Sequence, residues 1–303
     1  MRSQRYAAID LGANSFHLSI VAHGPNGLQT VLSNRDILHF NQGIDRQGQL
    51  RASTRTRALR CLDRFHALLS QHQPQSVRAV GTSSFRQLGV SHAFLPEASA
   101  RLGYPIEVLS GEEEARLIYQ GATWGLPTTE RMVIDIGGGS TELALGSGPW
   151  PHAAISLPIG SAQLSEQCFA HDVILPEHIA HARTLVRHEL SNIAWHPEQW
   201  AGVQEALGTS GTVKAISHVL ANLKLNHQSI ELSALARIEP VLWQVGSRAQ
   251  LSQILQLNGP RTRVFPGGYM ILRELFEWFN IPSLTMAQRA LREGIVVNLM
   301  QSS

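Results

Sequence analysis

Two widely separated stretches of this chain carry one pattern. Residues 7–18 read Ala-Ala-Ile-Asp-Leu-Gly-Ala-Asn-Ser-Phe-His-Leu, and residues 132–143 read Met-Val-Ile-Asp-Ile-Gly-Gly-Gly-Ser-Thr-Glu-Leu. Each is an apolar run, an aspartate, an aliphatic, a glycine, two small or polar residues, a serine, two more residues and a leucine. Asp10 to Ser15 and Asp135 to Ser140 have the same spacing. A single Asp-x-Gly match is common by chance. Two matches in the same register predict two similar domains, whose turns face each other across one cleft.

The physics of each copy is legible. The apolar run is short and bounded by glycine, so it reads as a buried strand. Gly12, or Gly137 to Gly139, then turns the chain into a second strand, 16–21 or 142–145. Glycine lets backbone approach a ligand closely and present its amides. Asn14, Ser15, Ser140 and Thr141 add side-chain donors, and a concave, amide-lined turn of this kind binds phosphate. Asp10 and Asp135 stand at strand ends, where a carboxylate can hold a hydrated Mg²⁺. The plainer reading is a pair of ordinary hairpins.

A third glycine segment follows the strand-like run at 206–207: Gly208-Thr209-Ser210-Gly211-Thr212, leading into a helical pattern over 213–220. A strand, a polar turn and a helix N-terminus make an anion site. A helix merely capped by Ser210 or Thr212 is the alternative. A fourth, Phe265-Pro266-Gly267-Gly268, reads as a turn before a helix over 269–279.

Between the repeats lies Ser110-Gly111-Glu112-Glu113-Glu114-Ala115-Arg116, after a strand-like run at 106–109. Glutamates in a first helical turn complement the helix dipole. One of them could also face the cleft and orient a water. Upstream, Gly81-Thr82-Ser83-Ser84-Phe85-Arg86 reads as a polar strand end followed by an arginine suited to phosphate, or else by a solvated loop arginine.

Composition excludes several classes. Charged residues are 16% of the chain and the net charge is +2, too even a balance for extended nucleic-acid or membrane binding. Lys214 and Lys224 are the only lysines. Base composition of the gene is the plainer explanation of the arginine preference, although arginine also suits a polyanion. Cys61 and Cys168 show neither Cys-x-x-Cys nor zinc-like spacing, which fits a reducing cytosol. No run reaches the ~18 apolar residues of a membrane span, and the apolar stretch after the N-terminus stops at Asp10. There is no P-loop, no Gly-x-Gly-x-x-Gly and no His-Glu-x-x-His; His178-x-x-His181 reads as a helix surface.

Taken in order, these motifs resemble the exopolyphosphatase/guanosine pentaphosphate phosphohydrolase (Ppx/GppA) family, from Tyr6 to about Met300. The resemblance rests on the segments starting at Asp10, Thr82, Ser110, Asp135 and Gly208, and on Leu291-Arg-Glu-Gly294. It implies an α/β, two-domain actin-like fold of the sugar kinase/Hsp70/actin, RNase H-like type. It implies Glu114 as catalytic glutamate and Arg86 as a substrate-phosphate ligand. Phosphates would be cradled at Asn14, Ser15, Gly138, Gly139, Ser140 and Thr141, with Gly208, Ser210, Gly211 and Thr212 as the third turn. The metal, Mg²⁺ or Mn²⁺, would sit at Asp10, Asp135 and Glu142.

The sequence departs from the family at Ala13, where Ser or Thr is common. Arg261-Thr262-Arg263 stands where many members have Arg-Ala-Asp, so this chain has no acid there. The domains are expected at 1–123 and 124–303, with a hinge at 124–130 and the last helix, 287–300, packing back on the first. The expected function is a cytoplasmic exopolyphosphatase, with pppGpp 5′-phosphohydrolase as the alternative and a non-catalytic nucleotide binder as the rival. The stretch Glu112–Gln120 is similar to the guanosine pentaphosphatase branch. The lack of further C-terminal domains points to short polyphosphates or pppGpp rather than long polymers. Expected partners are that substrate and at most a second copy of the chain, with no nucleic-acid duplex and no membrane.

Overall fold

The computed structural model describes residues 4–302 apart from 25–26, 46, 90–91, 172, 196–198, 201–202, 204, 226–228 and 245–246. The chain divides into two compact units, residues 1–121 with 291–303, and residues 122–290.

The first unit opens with an antiparallel meander, β1 (Gln4–Leu11), β2 (Ser15–Gly24) and β3 (Gly27–Ile37). Then follow α1 (Ala52–His72), β4 (Ser76–Gly81), α2 (Ser83–Leu88), α3 (Phe94–Leu102), β5 (Ile106–Val108) and α4 (Gly111–Thr123). The sheet order is β3-β2-β1-β4-β5, with β4 and β5 joined in parallel. In the second unit, β6 (Arg131–Ile136), β7 (Thr141–Gly146) and β8 (Ala153–Leu157) again form an antiparallel meander. Helices α5 (Ser161–Cys168) and α6 (Pro176–Ser191), β9 (Glu205–Gly208), α7 (Ser210–Asn222), α8 (Leu232–Trp243), α9 (Arg248–Leu255), α10 (Gly259–Phe279) and β10 (Leu284–Met286) complete it. Read from its other edge, this sheet runs β8-β7-β6-β9-β10, the same order with the same senses. The duplication seen over two short motifs therefore extends to both whole sheets.

Strand alternation explains the first core. Phe16, Leu18 and Ile20 of β2 are fully buried, and α1 meets them with Leu59, Leu62, Phe65 and Leu69. Phe16, Phe40, Phe85 and Phe94 form an aromatic cluster, with Phe40 and Phe85 stacked at 5.1 Å. Gly81 makes room for Phe85, since a Cβ there would lie 2.5 Å from its ring. Phe85 thus pins the short helix α2.

Helix α11 (Leu291–Gln301) packs on β1 and β4. It crosses α4 so closely that a Cβ on Gly294 would sit 1.8 Å from the Leu117 carbonyl oxygen. Arg78 of β4 ties this corner together, donating to Glu107 at 3.0 Å, Glu113 at 2.8 Å and Asn298 at 2.9 Å.

In the second unit, one expectation fails. Phe265–Gly268 is no turn; it lies inside α10, which begins ten residues before Tyr269 at Gly259. The glycines serve packing: a Cβ on Gly267 would meet the Ser161 carbonyl at 2.5 Å, and one on Gly268 would meet Thr212 at 2.2 Å. Pro266 removes one helical donor, and the Gly267 amide donates to Ser165 Oγ at 2.9 Å. Behind this, α6, α8 and α10 are linked by a closed ring of alternating charge. It runs Glu239, Arg183, Glu274, Arg187, Glu277, Arg273 and back to Glu239, around the 1%-exposed Glu274. No helix among the described residues is long and apolar enough to cross a membrane.

Because the obstacle at Gly294 is backbone, a small shift of a side chain cannot relieve it. Gly294→Ala is expected to destabilise the protein by roughly 1–3 kcal/mol, read as a lower urea midpoint. An unchanged midpoint would show that the two helices are not held at this separation.

Candidate functional site

The two hairpin turns are built alike. The Gly12 amide donates to the Ser15 carbonyl at 3.1 Å, and the Gly137 amide to the Ser140 carbonyl at 2.9 Å. This closure sets the strand register, which places Asp10 opposite His17 and Asp135 opposite Glu142. Directly opposed residues share one face of a sheet with neighbouring side chains.

Each turn is pinned from behind. In the first, Asn14 O accepts from the amides of Leu38 and His39 at 2.9 and 2.8 Å, and Ala13 O from Asn41 at 2.9 Å. In the second, Gly137 O accepts from Ser161, and Gly138 O from Ala162 and Gln163, so the first amides of α5 are spent on the turn's carbonyls. Gly160 presses on the same turn, where its Cβ would meet Gly138 and Gly139 backbone at 2.4 Å. Thr141 corrects one expectation: its hydroxyl donates to Ile159 O at 2.7 Å and the residue is fully buried, so its side chain holds the turn instead of a ligand.

Asp135 and Glu142 form a partly buried carboxylate pair. Thr209 Oγ1 donates to Asp135 Oδ2, and Ser156 Oγ donates to Glu142 Oε1 at 2.7 Å. Neither hydroxyl was marked out by the sequence motifs as a partner of these acids; the alignment of β6 with β7 and β9 brings them in. Two adjacent hard oxygen donors, each oriented by a hydroxyl, fit a small divalent cation. Among the described residues, no group of three or more His, Cys, Asp or Glu side chains could hold a metal. An ion here would therefore complete its shell with water and substrate oxygens, as Mg²⁺ commonly does. Asp10 belongs to the other unit, with His17 as its cross-strand partner.

At the third turn, Ser210 has φ of 73°, a left-handed conformation unusual for serine. Its Oγ accepts from the Val213 amide at 3.3 Å, within the first turn of α7, whose N-cap is Thr209. Thr212 Oγ1 donates to Ser161 Oγ at 3.2 Å, Gly208 is packed between Leu284 and Val213, and Gly211 O accepts from Arg261 at 3.1 Å. Thr262 is buried, its hydroxyl donating to Asn258 O at 3.0 Å.

The three glutamates of α4 separate cleanly. Glu112 pairs with Arg116 one turn along, Glu113 with Arg78, and Glu114 with Arg86 at 2.6 Å. Their side chains are 59%, 41% and 9% exposed, respectively, so Glu114 alone is withdrawn from bulk water. Arg86 does not lie in a loop. It sits on α2, where Phe85 faces the core and the guanidinium reaches the Leu109 carbonyl at 3.1 Å as well as Glu114. The predicted base and the predicted phosphate ligand are thus direct partners.

His17 is held well below the usual imidazole range, at about 4, by burial first and then by Arg292 and Arg35. Its Nε2 lies 2.9 Å from Ser33 Oγ, and Arg35 Nε donates to Ser15 Oγ at 3.1 Å. Both cysteines are buried, with their thiols pushed up by desolvation, which leaves them poor nucleophiles.

With this geometry in hand, the chain can be set against known proteins. Solved structures of similar fold include the PPX-GPPA enzyme of Aquifex aeolicus, 25% identical, covering 97% of this chain and 99% of that one with a TM-score of 0.83. An exopolyphosphatase from Cytophaga hutchinsonii is 21% identical over 99% of this chain and 98% of its own, with a TM-score of 0.86, a likeness of fold. Residues 19–303 match the Ppx/GppA phosphatase family. The match takes in well over half of the sequence, and the chain belongs to the Ppx/GppA phosphatase family.

Proposed function

We propose that the protein removes the terminal phosphoryl group of inorganic polyphosphate, in the cytoplasm, with Glu114 as general base and Asp135 and Glu142 as carboxylate ligands of Mg²⁺ or Mn²⁺. The observation that carries this reading is the Glu114–Arg86 pair, in which a carboxylate shielded from bulk water touches a guanidinium, a group suited to phosphate. Such a pair sets a water beside a bound phosphoryl group and holds it in line.

In this mechanism Glu114 accepts a proton from the attacking water. The oxygen of that water bonds to the terminal phosphorus, the bridging P–O bond breaks, and the shortened chain leaves with the electron pair. Arg86 keeps the Glu114 carboxylate aimed and offers its fork to phosphoryl oxygens. The turns at Asn14–Ser15 and Gly138–Ser140 present amides to the remaining phosphates. A bound divalent cation would neutralise phosphoryl charge. Polyphosphate is preferred because the turn amides and Arg86 suit phosphate and none of these groups requires a nucleoside.

Glu114→Gln keeps shape and removes basicity, so turnover is expected to fall roughly 10²–10⁴-fold with polyphosphate binding kept. A folded Gln variant with parental turnover would remove Glu114 from this role. Phosphate release from long polyphosphate, tripolyphosphate and pppGpp, measured side by side, tests the substrate. Release from pppGpp alone would overturn the preference. Thr209→Val and Ser156→Ala should each raise the Mg²⁺ concentration for half-activity about 10–100-fold, and should weaken Mn²⁺ binding followed by its EPR signal. Parental Mn²⁺ titrations would mean that these hydroxyls only pack.

A further inference from the structure

Three of the six tryptophans of this chain converge on one place in the second unit. Trp195 and Trp200 come from the connection between α6 and β9, and Trp278 from the last turn of α10. With Arg187, Glu274 and Glu277 they line an open cavity of about 520 Å³. That volume is in the range of small-ligand sites, which are mostly apolar and aromatic with a few placed polar groups. The cavity is remote from the third glycine turn along α10 itself. Arg261, at the start of the helix, donates to Gly211 O, and Glu277 stands about 24 Å further along the axis. We propose that this cavity binds a neutral, planar heteroaromatic ring whose edge carries a hydrogen-bond acceptor and an N–H donor side by side, as the lactam edge of a purine or pteridine does. The assignment stands whether or not the chain hydrolyses polyphosphate.

The walls call for a flat ring. Phe279 is buried and supports both indoles from behind: Trp200 meets it edge to face, with centroids 4.8 Å apart, and Trp195 lies tilted against it at 6.2 Å. Both tryptophans remain half-buried and Trp278 is exposed, so aromatic surface is left over for a ligand. Stacking on indole is favourable for any flat ring and needs no net charge. The polar end of the cavity decides the edge. Arg187 donates through Nε to Glu274 and through Nη2 to Glu277 Oε2 at 2.8 Å, while Glu277 Oε1 pairs with Arg273 at 2.9 Å. The carboxylates are thus already matched by arginines and Arg187 by two carboxylates, so neither a cation nor an anion meets an uncompensated charge here. The pair nevertheless keeps hydrogen-bonding capacity, since a guanidinium carries five N–H groups and each carboxylate oxygen accepts more than one. Arg187 and Glu277 are both partly exposed, at 48% and 29%, and so present an N–H beside an acceptor oxygen. A ring carbonyl accepts from the first, and the adjacent ring N–H donates to the second.

The test uses the intact protein, with inosine as a neutral probe that carries the lactam edge and 1-methylinosine as its partner lacking the N–H. Calorimetric titration should show saturable binding of inosine, and binding of 1-methylinosine about tenfold weaker. Trp278→Leu and Trp200→Leu should each weaken inosine about tenfold or more, through lost stacking. Glu277→Leu should weaken inosine and abolish its advantage over 1-methylinosine, a loss of discrimination that a general disturbance of the cavity would not single out. Trp150→Leu, which removes an exposed indole between β7 and β8, should bind as the parent does. Circular dichroism checks the folding of each variant, and Trp278, being exposed, supplies the variant that folds if Trp200→Leu does not. The absence of saturable inosine binding up to about 10 mM overturns the site. So does parental affinity in folded Trp278→Leu, and so does equal affinity for inosine and 1-methylinosine in the parent. A dimer in sedimentation that Trp278→Leu dissociates, with no inosine bound, overturns it in favour of a protein contact at the same cavity.

Discussion

The closure of a glycine amide onto a serine carbonyl three residues later, made once in each sheet, is the contact on which both hairpins depend. It sets how many residues the hairpin spends on its turn, and so which side chain faces the aspartate at the end of the first strand. Shifting the register by one would turn Glu142 and His17 to the opposite face of their sheets. Adjoining elements consolidate the closure: the chain at 38–41 grips the first turn, and the start of α5 grips the second. The two turns are therefore held through their carbonyls by the elements that follow them.

Much of this was legible from residue order alone. The paired Asp-x-Gly segments announced duplication, and apolar runs bounded by glycine marked the strands that carry them. What stayed hidden depended on contacts distant in sequence. Nothing in Thr82–Arg86 says that Phe85 will enter an aromatic cluster and swing Arg86 onto Glu114. Thr209 and Ser156 are found only once neighbouring strands are aligned. Pro266-Gly267-Gly268 resembles a turn because proline and glycine break isolated helices. Here close packing on α5 and α7 overrides that local preference. Thr141 was misread for a related reason: a hydroxyl beside a glycine turn can point inward as readily as outward, and only the position of the Ile159 carbonyl decides it.

The charged side chains separate into two kinds by their surroundings. Arg131 with Glu205, Arg78 with Glu113 and the ring around Glu274 satisfy groups that packing has already drawn from water, and they join elements that hydrophobic contact alone would leave free to slide. The Arg86–Glu114 pair differs in that its carboxylate is the most withdrawn from water of the three in the first turn of α4.

The placement of α11 has a consequence for how the protein is made. The first unit is discontinuous: residues 122–290 form a complete unit of their own, inserted before the helix that finishes its predecessor. During synthesis, the second unit has all of its strands and helices available once residue 290 has cleared the ribosome. The first must wait with the α11-facing sides of β1 and β4 uncovered, and with α4 lacking the neighbour that Gly294 admits. The helix bearing the candidate base is thus among the last parts of the molecule to be locked in place, and a chain halted before residue 291 would carry both glycine turns and α4 but not α11.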